Sequence, residues 1–130
     1  MTGNTNLQEV LNNMQLSCDE LEYGFAMTNE SVEIFAADVL GTFQESEGLT
    51  ILATKQYLED KGLSYKGPFA KLTVEVNTSL ELVGLTAVLA SKLAEKGISA
   101  NVFAAYYHDH IFVQYEARKE AVAALSSIKA

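Results

Sequence analysis

A single cysteine, Cys18, stands among the 130 residues, so no internal disulfide can form and no multi-cysteine metal site exists. Asp19 and Glu20 beside it disfavour a thiolate, and no histidine is near in sequence; the residue reads as a half-buried small hydrophobe, not a nucleophile. Arginine is as scarce: Arg118 is the only one, in a chain of net charge −8. An acidic surface with almost no fork-shaped donors repels phosphate backbones, which argues against nucleic acid as a partner. No apolar run approaches the roughly 18 residues of a membrane span, and the polar N-terminus lacks a basic region followed by an apolar one. These absences predict no membrane partner and a cytoplasmic location.

What is present is a packed protein: 48% of residues are hydrophobic and the mean hydropathy is +0.07. The length suits one ordinary domain or two very small modules sharing a core. Charge is unevenly placed. Residues 1–66 hold eleven of the seventeen carboxylates and three lysines, whereas residues 67–130 hold six charges of each sign. The acidic clusters Asp19-Glu20-Leu21-Glu22 and Glu45-Ser46-Glu47 read as solvated surface.

Along the chain, Leu7, Val10, Leu11 and Met14 recur at helical spacing, with Asn6 and Glu9 placed as a cap pair. Tyr23 to Thr28, Val39 to Phe43 and Leu49 to Ala53 read as strands, the last two joined by an acidic turn. A short helix is expected from Thr54 to Lys61, stopped at Gly62. Leu63 to Pro68 has no periodicity and contains the only proline, which marks a connector and puts a boundary near Lys66, between halves 1–66 and 67–130.

The second half is better marked. Leu72, Val74 and Val76 alternate with polar residues as a strand. Thr78 and Glu81 form a capping box, so a helix is expected from near Ser79, carrying Leu82, Leu85, Leu89 and Leu93 to a stop at Gly97. Ile98 to Tyr107 and Ile111 to Tyr115 read as strands separated only by His108, Asp109 and His110, and Ala117 to Ile128 as a last helix. The order strand, helix, strand, strand, helix predicts a ferredoxin-like α/β sandwich lacking one strand. The first half must lend it, Tyr23 to Thr28 being the expected loan. Phe103 and Phe112 are expected outside the helix-covered core, against the other half or another subunit.

Val83-Gly84-Leu85-Thr86-Ala87, Lys96-Gly97-Ile98-Ser99-Ala100-Asn101-Val102, Glu45-Ser46-Glu47-Gly48-Leu49-Thr50 and Ala105-Tyr106-Tyr107-His108-Asp109-His110-Ile111-Phe112-Val113 together resemble the ACT domain. The likeness extends from about Leu7 to Leu125. It is to small stand-alone bacterial proteins with two ACT-like halves, related to the ACT modules of aspartate kinases. It implies a regulatory protein that binds a small ligand such as an amino acid. No Ser-His-Asp arrangement, Gly-rich phosphate loop or framed carboxylate pair is identified, so no catalytic activity and no cofactor are expected, and the apolar strand faces suggest a homodimer through ACT-like sheets or helices.

The residues allow such a site at the first strand-to-helix joint. Free N–H groups at a helix start attract a carboxylate, Gly84 permits close approach, and Glu81 or Asn77 can receive an ammonium group. Asn101, read as lying near that joint, offers a donor and an acceptor. The resemblance implies Asn77, Ser79, Leu80, Val83, Gly84, Ile98 and Asn101 as ligand-binding positions at an interface between modules. Capping and close helix packing explain Thr78, Glu81 and Gly84 equally well. His108-Asp109-His110 reads as a turn whose residues tolerate positive φ, since a metal site needs more ligands than two histidines. Two alternatives to a ligand-binding regulator stand: an interaction module with a vestigial ligand loop, and a metal-dependent enzyme using His108 and His110.

Overall fold

The computed structural model describes residues 6–32, 34, 37–75 and 83–128. In chain order the elements are α1 (Leu7–Asn13), β1 (Gln15–Cys18), β2 (Tyr23–Thr28), β3 (Val39–Glu45), β4 (Gly48–Thr54), α2 (Lys55–Asp60), β5 (Tyr65–Glu75), α3 (Leu85–Glu95), β6 (Asn101–Ala104), β7 (Asp109–Gln114) and α4 (Arg118–Ser126). They gather into two compact units, one running Glu20–Ala70 and the other joining Met1–Asp19 to Lys71–Ala130.

In the unit Glu20–Ala70, β3, β4, β2 and the first residues of β5 form an antiparallel sheet in that order. Helix α2 forms where the sequence predicts it: Thr54 accepts a hydrogen bond from the Tyr57 amide at 3.2 Å, and Gly62, at φ +69°, reverses the chain after the last turn. Tyr57 and Leu58 of α2 pack with Ala26, Ile51 and Ala53 on one sheet face. Gly24 lets this face close, because a β-carbon there would stand 2.6 Å from Tyr65 Cδ2 and 2.9 Å from Leu58 Cδ1. The segment expected as a connector is instead part of a strand. Tyr23 pairs with Phe69 and Phe25 with Lys66, so Gly67 and Pro68 face the single residue Gly24 across a bulge, where a proline costs no ladder bond.

In the other unit the lent strand is β1, not Tyr23 to Thr28. Gln15 to Cys18 pair antiparallel with Glu75 to Leu72. Strand β7 neighbours β5, and β6 pairs antiparallel with β7. Leu72 and Val74 are fully buried, as are Ile111 and Val113. Leu85, Leu89 and Leu93 make the buried stripe of α3, and Ala121, Ala124 and Leu125 that of α4, which contacts α3, β1 and β7. Each such leucine contributes roughly 1.5–3 kcal/mol by leaving water. Phe112 is 1% exposed while its expected companion Phe103 is 39% exposed, so only the latter is open to solvent.

Two boundaries differ from expectation. Helix α3 begins at Leu85, six residues later than near Ser79; Thr78, Glu81 and Leu82 lie outside the described residues. The reversal between β6 and β7 spans Ala105 to His108, closed by a 3.1 Å hydrogen bond from the Ala105 amide to the His108 carbonyl. Asp109 and His110 are already strand, paired with Ala104 and Phe103. No described non-glycine residue has positive φ, so the conformational reason for a His-Asp-His turn falls away.

Candidate functional site

The joint leading into α3 is held by Gly84. Its φ of +99° is the left-handed region that glycine enters at no steric cost, and its carbonyl accepts the first helical hydrogen bond, from the Val88 amide at 3.0 Å. No described side chain caps this end; the amides of the first turn have no intrahelical partner, and the end carries positive potential. Val83, just before it, is 85% exposed. On its other side Gly84 meets α1: a β-carbon on it would lie 3.2 Å from Leu7 Cδ2. Nothing in the sequence signals that contact, which joins residues far apart in the chain. Asn77, Ser79, Leu80 and Glu81 fall outside the described residues.

Ile98 and Asn101 stand at the far end of the helix. Eleven residues make α3 about 16 Å long, so one small ligand within one unit cannot touch both Gly84 and Asn101. That corrects the expectation that Asn101 lies near the strand-to-helix joint. Ile98 is buried, and its amide closes the helix on the Leu93 carbonyl at 3.0 Å, with Gly97 at φ +73° providing the reversal. Asn101 is exposed and donates from its Nδ2 to the Phe112 carbonyl at 3.2 Å.

The two histidines differ. His110 Nδ1 shares a 3.0 Å hydrogen bond with Thr73 Oγ1, whereas His108 Nδ1 is buried without a partner among the described residues. Burial, then Lys71 and His108, hold the His110 pKa below the usual imidazole value, against the opposing pull of Asp109. Burial raises the Asp109 carboxyl, against both histidines. No group of three or more His, Cys, Asp or Glu that could hold a metal ion occurs among the described residues. Cys18 is held as the thiol by burial and by Asp19, with Arg118 opposing. No described helix is long and apolar enough to cross a membrane.

Strands flanked by helices in the order β5, α3, β6, β7, α4, with β1 beside β5, define a ferredoxin-like α/β sandwich. ACT-domain models match residues 64–127 and residues 2–70, and the chain belongs to the ACT domain family. It is similar to a Vibrio cholerae protein of unknown function, described as a possible transport protein, with 39% identity, 95% of this chain and 96% of that one covered, and a TM-score of 0.85. The ligand-free regulatory subunit of Thermus thermophilus aspartate kinase is 12% identical, with 88% of this chain and 95% of that one covered, at a TM-score of 0.60. Clostridium acetobutylicum aspartate kinase is 8% identical, covering 90% of this chain and 34% of that one, at 0.66. At such identities the likeness to the kinases concerns the fold alone. No curated protein sequence matches the chain. ACT domains are regulatory modules, and these matches indicate no catalytic family.

Proposed function

We propose that this protein is a regulator with two ACT modules, one in each compact unit, that binds a free amino acid and has no chemistry of its own. Gly84 carries the reading. A left-handed glycine opens the N-terminus of α3, where a carboxylate is favoured and the backbone can be approached closely. The segment from Asn77 through Ser79, Leu80 and Glu81 to Val83 leads into this end and would supply the ammonium partner. Because α3, about 16 Å long, runs between Gly84 and the chain that leads to Asn101, a ligand touching both would lie between two copies, the helix start of one meeting the β6 entry of the other. The homodimer is part of this reading, as is a cytoplasmic location.

Calorimetry of the parent protein against each free amino acid tests it. A ligand at a hundred times its dissociation constant should also stabilise the fold by about 2.7 kcal/mol. Asn101→Ala, at an exposed position, should weaken binding while leaving the melting temperature of the ligand-free protein nearly unchanged. Parent protein that binds no amino acid would defeat the sensor reading. A second reading, an interaction module with a vestigial ligand loop, is favoured by Leu7, whose Cδ2 already occupies one side of Gly84.

A further inference from the structure

The unit Glu20–Ala70 ends in an open strand. Strand β3 pairs with β4 from Val39 to Glu45, and among the described residues its other edge meets no strand. Alternate backbone N–H and C=O groups of such an edge point outward and can accept another strand. Protected edges carry lysine, proline or a bulge. Strand β3 has neither lysine nor proline, and its one irregularity, at Leu40, leaves Gly41 to Glu45 in regular register.

The side chains along this edge have a definite character. Thr50 is the partner of both Phe43 and Met27, so the three stand in a row on the sheet face opposite Ala26 and Ile51. Phe43 is 69% and Met27 49% exposed. Beside them on this face a shallow groove of about 450 Å³ has Phe25, Met27, Thr50, Glu45 and Lys66 in its lining, Lys66 lying beside Phe25 and away from the β3 edge. Carboxylates stand at both ends of the edge strand itself, Asp38 before β3, and Glu45 and Glu47 at and after its last residue. The first 54 residues carry nine carboxylates and no lysine, arginine or histidine, so no cation from this stretch neutralises them.

We propose that the β3 edge and Phe43 receive an extended segment of another protein, apolar at its centre and carrying Lys or Arg towards both ends, as an added strand. The acidic ends decide against a second copy of this chain. Antiparallel self-pairing would set Asp38 of one copy beside Glu45 and Glu47 of the other, and parallel pairing would set like beside like. A basic strand meets the same edge with opposite charges facing throughout. The inference is independent of the ligand reading, since it concerns the other unit.

The test uses the full chain and two synthetic ten-residue peptides, a Val/Phe-centred one with lysines at both ends and its counterpart with glutamates in their place. The basic peptide should bind at least about tenfold more tightly, more weakly as salt rises, and should slow amide exchange within Gly41–Glu45. Phe43→Ser and Glu47→Lys, both at exposed positions, should each weaken that binding about threefold to tenfold without lowering the melting temperature. Equal binding of the two peptides, binding that survives both substitutions, or exchange changes that avoid β3 would overturn the proposal. So would a free protein already dimeric with its β3 amides protected, which would assign the edge to a second copy.

Discussion

Thr73 Oγ1 and His110 Nδ1 lie 3.0 Å apart, so β5 and β7 are joined by a side-chain hydrogen bond at a partly buried position. The site disfavours the charged imidazole: the His110 pKa is lowered first by burial, then by Lys71 and His108, against Asp109. An unfolded chain takes up this proton at about pH 6.5. Between the lowered folded-state value and about 6.5 the unfolded state binds more protons, so stability rises with pH across that window and is fully present above it. The melting temperature should hold from pH 8 to about 7 and fall as pH drops below about 6.5. His110→Gln should flatten that fall. An unchanged slope between pH 7.5 and 5.5 in the variant would assign the effect to other groups.

Gly84 should tolerate substitution according to backbone conformation. Any L-residue there is strained at φ +99°, and its β-carbon must also displace Leu7 Cδ2. Gly84→Val should cost more than the roughly 1–2 kcal/mol of a left-handed residue, and Gly84→Asn less, because asparagine enters this region most readily. Urea denaturation of the two variants measures the difference. Equal losses would show that contact with Leu7, not φ, controls the site.

Close approach governs Gly24 instead. Its β-carbon would meet Tyr65 Cδ2 at 2.6 Å and Leu58 Cδ1 at 2.9 Å, both from packed side chains. Gly24→Ala should lose about 1–3 kcal/mol through overpacking. Adding Leu58→Val should give back part of that loss, since it removes one of the two obstacles. A double variant whose loss is the sum of the two single losses would exclude the steric coupling.

Much of this architecture is legible from local chemistry. Asn6 accepts the Glu9 amide at 3.0 Å, as its place before an apolar period implies, and Tyr23 to Thr28 forms a strand with the bounds its residues predict. Where the sequence misleads, a longer-range or conformational fact intervenes. Leu82, Leu85, Leu89 and Leu93 keep helical spacing straight past Gly84, and periodicity does not register that Gly84 is left-handed and that the helix begins after it. Tyr106 and Tyr107 have strand propensity yet form the bend before β7, their rings 4.8 Å apart and more than two-thirds exposed. Strand β1 was illegible because four residues, Gln15 to Cys18, carry too little alternation; pairing with β5 makes them a strand. Thr73 and His110 meet only through the topology, so no spacing announces their hydrogen bond.

That short strand supports the final prediction. Gln15 to Cys18 cover the edge of β5 from Leu72 to Glu75, and β1 also contacts α4, so the unit containing α3 and α4 is incomplete without the first residues of the chain. A piece of 64 residues, 67–130, is near the size at which buried surface barely offsets chain entropy, and it also has an unpaired edge. Expressed alone, it should show poorly dispersed amide resonances and no cooperative melt. A synthetic peptide of residues 6–19, supplied in excess, should restore dispersion and a cooperative transition whose midpoint rises with peptide concentration. Leu16→Asp in the peptide should abolish the rescue, because Leu16 lies opposite the buried Val74 in the ladder. A fragment that melts cooperatively by itself would show that β1 is dispensable. Rescue by the Leu16→Asp peptide would show that charge or solubility, not strand pairing, brings the two pieces together.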